Sequence, residues 1–276
     1  MKRSSLSILF VCLCMNMCAQ VKMPQPSPTQ TIRQDFAMGT IELTYSRPGA
    51  KGRKIFGDLV PFNKLWRTGA NAATIIRFTE PVEIKGKKVD TGSYALYSIP
   101  GAESWDIILN KGVSNWGIEG YKESDDVIRV KVDPVKMETK LETFTMQFAD
   151  IKPESCELHL MWEKTAIVLP ITANIKEKLK NQLDAAMLTD KKPYWQAAQF
   201  YNEYENNSTK ALENIAKALE QNPNAYWMWL YKAKIQKELG DTAGALVSAK
   251  KSLELATKEK NEDYIKMNEE LIKKLK

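Results

Sequence analysis

Histidine and cysteine are nearly absent from this chain of 276 residues. His159 is its only histidine, and Cys156 is its only cysteine after residue 18. Strand alternation would place His159 on one face with Glu157 and Glu163, but a transition-metal site normally takes more soft ligands than one imidazole. We therefore expect no metal site and no other cofactor. No neighbouring base marks Cys156 as a nucleophile.

The sequence also lacks a hydrophobic run long enough to span a membrane. The apolar stretch at residues 6–15 is well below the roughly 20 residues that a transmembrane helix needs. It follows Lys2 and Arg3 and precedes Ala19, an order typical of a signal peptide cleaved after Ala19. This pattern predicts a protein that is exported to the periplasm or the extracellular space and is not transmembrane. The alternative is a lipoprotein anchored through Cys18, although small residues do not precede that cysteine.

Cleavage after Ala19 would have two consequences. It would leave Cys156 as the only cysteine, so no internal disulfide could form and stability would come from hydrophobic cores. It would also remove Lys2 and Arg3, which lowers the formal net charge from +6 to +4. That modest charge and the export signal together predict that nucleic acid is not a partner.

After the signal peptide, residues 20–171 form a predicted β domain. Residues 41–46 alternate apolar and polar side chains, which is typical of a half-buried strand. Similar runs follow, with turn signals between them, at 74–79, 94–99, 105–109, 127–132, 144–148, 157–163 and 166–171, and residues 84–89 are typical of a tight hairpin. Eight or nine short strands without a long helix predict an antiparallel β-sandwich or small barrel.

Residues 172–276 form a predicted all-α domain, with apolar residues at helical spacing. Similar residues recur 34 positions apart in three pairs: Trp195 and Trp229, Ala211 and Ala245, and Ala218 and Ser252. This period resembles that of the tetratricopeptide repeat, over about residues 192–258. The resemblance implies helical hairpins in which tryptophans fill grooves and small residues let helices approach closely.

The helical domain departs from the repeat pattern in two ways. Gln199 stands where the family often has glycine or alanine, whereas the second repeat has Ala233 at that position. Only two repeats are visible, and about three are usually needed for stability. We therefore expect flanking helices at 174–188 and 262–275, which gives about six helices. The resemblance implies a surface for a protein or peptide partner, and the alternative is a small bundle that only packs on the β domain.

Four long motifs occur in order within the β domain. They are YSRPGAKGRKIFG at 45–57, LVPFNKLWRTGANAAT at 59–74, GSYALYSIPG at 92–101 and WDIILNK at 105–111. Together they resemble the bacterial family labelled domain of unknown function 2911, over about residues 30–171. The resemblance implies an exported β domain and supplies no known activity or site residues.

The first two motifs concentrate positive charge. Residues 40–70 contain six basic side chains and two acidic ones, a local charge of +4. Guanidinium groups and amides exposed at glycine-rich turns suit a carboxylate, phosphate or sulfate, and a tryptophan ring can stack on a sugar or a cation. The sequence therefore predicts a ligand site with these residues: Arg47, Lys51, Arg53, Trp66, Arg67 and Asn71. The alternative is that the arginines only stabilise two ordered loops.

Two classes of function are compatible with these features. The first is a binding or interaction module, with an anionic or sugar-like ligand in the β domain and protein contacts through the helices. The alternative is an extracytoplasmic hydrolase or other enzyme that uses the arginine-rich loops as an anion site, although no acid, base or nucleophile set is visible.

We interpret the tryptophans Trp105 and Trp116 as core residues.

Overall fold

A computed structural model describes residues 23–276, and these residues form two compact units that divide between Thr172 and Ala173. The predicted signal peptide and the alternative lipid-anchored Cys18 lie outside the described residues. Within residues 23–276, no helix combines the length and the apolar character that crossing a membrane requires.

The first unit is built from β-strands. Its described residues form β1 Thr29–Phe36, β2 Gly39–Ser46, β3 Thr74–Phe78, β4 Val82–Ile84, β5 Lys87–Val89, β6 Gly92–Ile99, β7 Trp105–Asn110, β8 Asp126–Val132, β9 Val135–Ala149 and β10 Ser155–Thr172. One sheet has the order β1-β2-β3-β6-β7-β8 and the other β5-β4-β10-β9, and every pairing is antiparallel. Both sheets are open, which confirms the sandwich and makes the barrel alternative wrong.

Side-chain alternation explains the strands that the sequence predicted. In β2, Ile41, Leu43 and Tyr45 are buried, while the residues between them are only half-buried. Leu43 lies opposite Ile76 of β3, so the two apolar rows share one face of the sheet. The predicted hairpin at 84–89 is also present, with Lys85 and Gly86 in its turn at positive φ.

Two strands differ from the sequence prediction. β1 was not predicted, because its side chains lie on an edge strand and most of them stay exposed or half-exposed. The two runs at 157–163 and 166–171 form the single strand β10. Pairing with β9 is irregular on both sides of Glu163, whose φ is 51°. Oε1 of Glu163 forms an ion pair with Nζ of Lys140 at 3.0 Å. The local irregularity breaks the alternation that the sequence shows there.

An aromatic cluster fills the core of the β unit. The rings of Phe56 and Trp105 lie 4.8 Å apart, those of Trp66 and Phe144 lie 5.2 Å apart, and Trp66 stacks on Trp162 at 6.1 Å between ring centroids. Such pairs add about 0.5–1.5 kcal/mol each beyond the burial of their area. Trp105 is therefore a core residue, as predicted.

The second unit is entirely helical in the residues described. Its helices are α1 Lys176–Met187, α2 Tyr194–Glu203, α3 Ser208–Gln221, α4 Tyr226–Glu238, α5 Thr242–Lys258 and α6 Glu262–Leu275. The side chains of Asn207, Asp241 and Asn261 cap α3, α5 and α6 by accepting hydrogen bonds from backbone amides in the first turn. The predicted flanking segments are α1 and α6, and the all-α prediction is confirmed.

Small residues lie where the helices of each hairpin approach. Ala211, Ala245 and Ser252 are fully buried, and Ala218 is almost fully buried. The two tryptophans of the repeats, Trp195 and Trp229, lie near the start of their hairpins and are half-buried. Both pack against the cluster that contains Ala211 and Ala218. These positions agree with a helical repeat, and the assignment to the tetratricopeptide type stays a prediction.

Candidate functional site

The first arginine-rich loop, residues 47–53, lies along the edge of β9. Arg47 donates from Nε to the carbonyl of Phe144 at 3.2 Å and from Nη2 to Oγ1 of Thr145 at 3.0 Å. The carbonyl of Pro48 accepts from the amide of Phe144, and the amide of Ala50 donates to the carbonyl of Glu142. Arg47 therefore stabilises the contact between this loop and β9.

The backbone amide of Lys51 and the side chain of Arg53 also make contacts that stabilise this loop. Arg53 donates from Nε to the carbonyl of Ala50 at 3.0 Å and from Nη2 to the carbonyl of Gly49 at 2.8 Å. The backbone amide of Lys51 donates to Oε1 of Glu142 at 2.6 Å, and its φ is 51°. Because these hydrogen bonds fold the Arg53 guanidinium onto its own backbone, only part of its donor set can reach a ligand.

In the second loop, Trp66 and Asn71 make internal contacts. Trp66 is only 8% exposed and donates from Nε1 to the carbonyl of Gly69 at 3.0 Å. Its ring belongs to the aromatic core, so neither face is free to stack on a ligand. Asn71 donates from Nδ2 to the carbonyl of Ser27 at 3.2 Å and to Oγ of Ser46 at 3.3 Å. Its carboxamide thereby connects the second loop to β2.

Arg67 differs from the other predicted site residues. Its Nε is buried and has no hydrogen-bond partner, and no carboxylate within residues 23–276 lies within ion-pair distance of its guanidinium. Nη1 of Arg67 lies close to Gly117, 3.8 Å from the point where a side chain on that glycine would begin. The arginine therefore lies against the loop between β7 and β8, with an uncompensated charge.

That loop carries an exposed tryptophan, which makes the core prediction for Trp116 wrong. Trp116 is 65% exposed, and Val113 and Ile118 beside it are also exposed. The carbonyl of Asn115 accepts from the amide of Ala73, and its Nδ2 donates to the Tyr97 hydroxyl at 3.2 Å. The exposed ring therefore belongs to an anchored loop. The glycines around Trp116 in the sequence were a signal of such a loop.

A cluster of charged groups holds the far end of the same loop. Arg129 Nη2 contacts Oδ2 of Asp126 at 3.0 Å, Oε1 of Glu123 at 3.2 Å and the hydroxyl of Tyr121 at 3.0 Å. Tyr121 in turn donates to Asp126 at 3.0 Å. Burial first, and then the hydrogen bond to Asp126, raise the pKa of Tyr121 to about 12. This cluster is internally paired and positions the loop.

The predicted arginines do not form one site. Arg47 and the amide of Lys51 contact residues 142–145 of β9, and Arg53 bonds to the carbonyls of the same loop. Arg67 lies against Gly117 instead. No hydrogen bond or ion pair in the described part of the chain joins the two groups. Of the three predicted arginines, only Arg67 has a guanidinium without a hydrogen-bond or ion-pair partner among residues 23–276.

The other titratable candidates make local pairs. His159 Nε2 lies 2.7 Å from Oε2 of Glu157, while Glu163 pairs with Lys140. No group of three potential metal ligands forms within residues 23–276. Cys156 is 1% exposed, and burial, with a smaller effect of the Glu157 charge, raises the pKa of its thiol to about 11. A buried thiol of this kind is a poor nucleophile.

Three cavities of the helical unit share lining residues with one another. The first, about 480 Å³, lies between α1 and α2, and the second, about 180 Å³, is lined by α2, α4 and α6. The third, about 410 Å³, lies between α4 and α6. Gln199 lines both the first and the second cavity, and Lys234 and Met267 line both the second and the third. The three cavities therefore lie side by side along α1, α2, α4 and α6, and this row of cavities is called here the α-groove.

The chemistry of the α-groove changes along its length. The first cavity is mainly apolar and contains the side chains of Leu179, Leu183 and Phe200. The second has an aromatic wall in which Trp195 contacts Tyr231 edge-on, with ring centroids 5.1 Å apart. The third is lined by lysines and glutamates around an apolar floor of Met267 and Leu271. Sequence analysis did not find this groove, because its residues come from helices that are distant in the chain.

Comparison with known proteins gives one match. The model of a family described as "Protein of unknown function (DUF2911)" matches residues 27–171, which are 145 of the 276 residues. A search of curated proteins found no match, and a search of solved structures found none either. The match coincides with the β unit and confirms the resemblance read from its four motifs. The chain therefore belongs to the DUF2911 family.

Proposed function

We propose that this protein is a binding module whose helical unit holds an extended segment of a partner protein in the α-groove. The observation that carries the proposal is that the three cavities share lining residues across four helices. Neighbouring helices pack about 8–10 Å apart, so the groove spans roughly 25–30 Å. An extended chain rises about 3.3 Å per residue, and such a groove accommodates about eight residues.

The lining of the α-groove supports a peptide ligand over a small molecule. Apolar and aromatic walls provide burial, and half-exposed aromatic side chains such as Trp195, Trp227 and Tyr231 are typical of protein-binding surfaces. We also propose that binding takes place after export, in the periplasm or the extracellular space. The basic, apolar and small residues at positions 2–19 support this location.

Selection from a random nonapeptide display library tests the proposal. Full-length protein should enrich a family of related peptides, and Met267→Glu should reduce their binding at least tenfold, because it places a charge at the junction of the second and third cavities. Val247→Glu is the matched control, since Val247 is 67% exposed on α5 and does not line the α-groove. The proposal is wrong if nothing is enriched, or if both variants lose binding equally.

A second candidate function is binding of a small anionic or sugar-like ligand at Arg67. The observation that favours it is the buried, unpartnered Nε in a guanidinium without a carboxylate. An unsatisfied buried donor costs about 1–3 kcal/mol, which an anionic ligand would offset by supplying the missing acceptors. Trp116, anchored next to Gly117, offers an exposed ring for a sugar face in place of the buried Trp66.

A thermal-shift screen with paired probes tests this second candidate. Glucuronate, phosphate and sulfate should raise the unfolding temperature of the full chain, glucose should not, and Arg67→Gln should abolish the shift. Equal shifts for glucuronate and glucose would point to a neutral sugar site. No shift with any anion would remove Arg67 as a ligand residue. The hydrolase alternative additionally requires turnover of a substrate at this site.

A further inference from the structure

The strand β1 forms one edge of the six-stranded sheet, and no other strand among residues 23–276 pairs with its free side. We infer that this edge binds β1 of a second copy of the chain, in an antiparallel pair with Gln34 on the twofold axis. The inference concerns the β unit and is independent of the proposed function.

The pairing between β1 and β2 determines which backbone groups of β1 are free. The amide of Arg47 donates to the carbonyl of Pro28, which continues the β1–β2 register by one pair. Because hydrogen-bonded pairs alternate along an antiparallel ladder, every second residue of β1 directs its N–H and C=O groups away from β2. These residues are Thr29, Thr31, Arg33 and Asp35. In the described part of the chain, the only hydrogen bond to these outward groups runs from Nε2 of Gln34 to the Asp35 carbonyl, at 2.9 Å.

The opposite edge of the same sheet, strand β8, is closed to pairing. Nζ of Lys87 donates to the carbonyl of Arg129 at 2.8 Å. Nζ of Lys85 donates to the carbonyl of Lys131 at 2.9 Å. Charged side chains over an edge strand prevent its association with another chain. No side chain within residues 23–276 covers β1 in this way, so its edge is available to a further strand.

The side chains of β1 are complementary to those of an antiparallel second copy. With Gln34 on the twofold axis, Arg33 of each copy lies opposite Asp35 of the other, and both side chains are exposed. Each opposed pair also exchanges two backbone hydrogen bonds, and the Asp35 carbonyl accepts its new one with a second lone pair. On the other face of the sheet, the half-buried Ile32 lies opposite Phe36.

Neighbouring registers lack this complementarity. An axis at Arg33 would place two arginines directly opposite each other, which destabilises a strand pair. An axis at Ile32 would place Arg33 and Asp35 opposite threonines and give neither a charged partner across the interface. Charge complementarity therefore selects Gln34 as the axis position. One strand pair buries little surface, so we expect the association to be weak and to depend on protein concentration.

Sedimentation velocity of the full chain, over about a hundredfold range of protein concentration, tests the inference. The wild type should shift from monomer towards dimer as the concentration rises. Arg33→Asp and Asp35→Arg each place like charges opposite one another at both symmetric contacts, and each should weaken association about tenfold. The double variant exchanges the two charges and should restore association to within about threefold of the wild type.

Arg77→Asp is the matched control for the charge reversals. Arg77 on β3 and Arg33 on β1 both lie opposite Glu42 of β2, so both reversals lose the same neighbour within the chain. Because β3 is an inner strand, Arg77→Asp should associate as the wild type does. Thermal unfolding of every variant shows whether its fold is retained.

Cysteine cross-linking tests the position of the axis. Opposed residues at a non-hydrogen-bonded position of an antiparallel pair have Cα atoms about 4.5 Å apart, a separation that a disulfide can span. Under mild oxidation, Gln34→Cys should therefore give a covalent dimer linked at position 34, as peptide mapping can show. Gln30→Cys, half-buried on the same face of β1, should not cross-link. The native Cys156 is buried and does not compete.

Each outcome decides the inference. A concentration-dependent dimer with rescue by the charge exchange and a cross-link at position 34 supports it. A wild type that stays monomeric at every concentration would overturn it and leave the edge to a strand of another protein. Dimerisation that neither charge reversal weakens, or that the double variant does not restore, would overturn it as well. Cross-linking at position 30 as readily as at position 34 would have the same effect. None of these outcomes depends on the α-groove.

Discussion

Replacing Arg47 and Arg67 by methionine in separate variants distinguishes an arginine that stabilises a loop from one that is free for a ligand. Methionine keeps the apolar part of the side chain and removes the charge and the donors. In Arg47→Met, the carbonyl of Phe144 and Oγ1 of Thr145 lose their donors. In Arg67→Met, no protein acceptor among residues 23–276 loses a partner, and a buried unpaired Nε is removed.

The expected magnitudes follow from those contacts. Hydrogen bonds that involve a charged group contribute about 1.5–3 kcal/mol, and the half-exposure of Arg47 reduces this, so Arg47→Met should lower the free energy of unfolding by about 1–2 kcal/mol. Arg67→Met should change it by less than about 0.5 kcal/mol or increase it slightly. Arg77→Met, at an exposed position of β3, gives the baseline for losing an arginine.

Differential scanning calorimetry of the full chain provides the measurement. The transition of the β unit is identified as the one that Trp162→Phe lowers, because Trp162 belongs to the aromatic core. For a unit of this size, about 1 kcal/mol corresponds to a shift of roughly 2–4 °C. Arg47→Met should therefore lower this transition by a few degrees, and Arg67→Met should leave it within about 1–2 °C of the Arg77→Met baseline.

One result would refute the reasoning. If Arg67→Met destabilises the β unit as much as Arg47→Met does, then Arg67 makes structural contacts and its Nε is not free. The second candidate function would then lose the observation that carries it. If neither variant shifts the transition, the loop at residues 47–53 is not held to β9 by Arg47.

Three further predictions concern other parts of the molecule. Cys156 should resist iodoacetamide in the native protein at pH 8 and react after unfolding, as peptide mass mapping can show, because a pKa of about 11 leaves roughly one thiol in a thousand ionised. The folded-state pKa of Tyr121, about 12, lies above the ordinary tyrosine value of 10.0, so its stabilising contribution is complete below pH 10 and lost towards pH 12. The β unit should therefore lose more stability over that range in the wild type than in Tyr121→Phe, and equal losses would contradict this. Ala245→Leu should destabilise the helical unit by about 1–3 kcal/mol in urea unfolding, because no space exists for the larger side chain, whereas Val247→Ser should change it by less than about 0.5 kcal/mol.

Much of the fold could be predicted from the sequence, because the signals were local. The alternation in β2 directly reflects which side chains face the core, and the change to helical spacing after residue 172 reflects a change in the type of element. β1 was missed because an edge strand with two mostly accessible faces leaves no apolar alternation. The irregular pairing at Glu163 joined two apparent strands into one.

The candidate sites were less predictable, because they depend on contacts between distant residues. Trp66 and Trp116 are the same residue type near glycines, yet one is 8% and the other 65% exposed. Arg47 and Arg67 have similar sequence surroundings, and only the position of β9 gives Arg47 its acceptors. The α-groove likewise joins α1 to α6, whose residues lie far apart in the chain.

The contact between the loop at residues 47–53 and β9 also constrains the order of folding. Arg47 and its acceptor on Phe144 are separated by 97 positions, so the Arg47 side chain lacks both of its acceptors until β9 is in place. Closing so long a segment costs conformational entropy before any contact offsets it, and folds dominated by distant pairings form slowly. The first motif of the family is therefore expected to become ordered late, and an N-terminal fragment that ends before β9 would leave it without its partner strand.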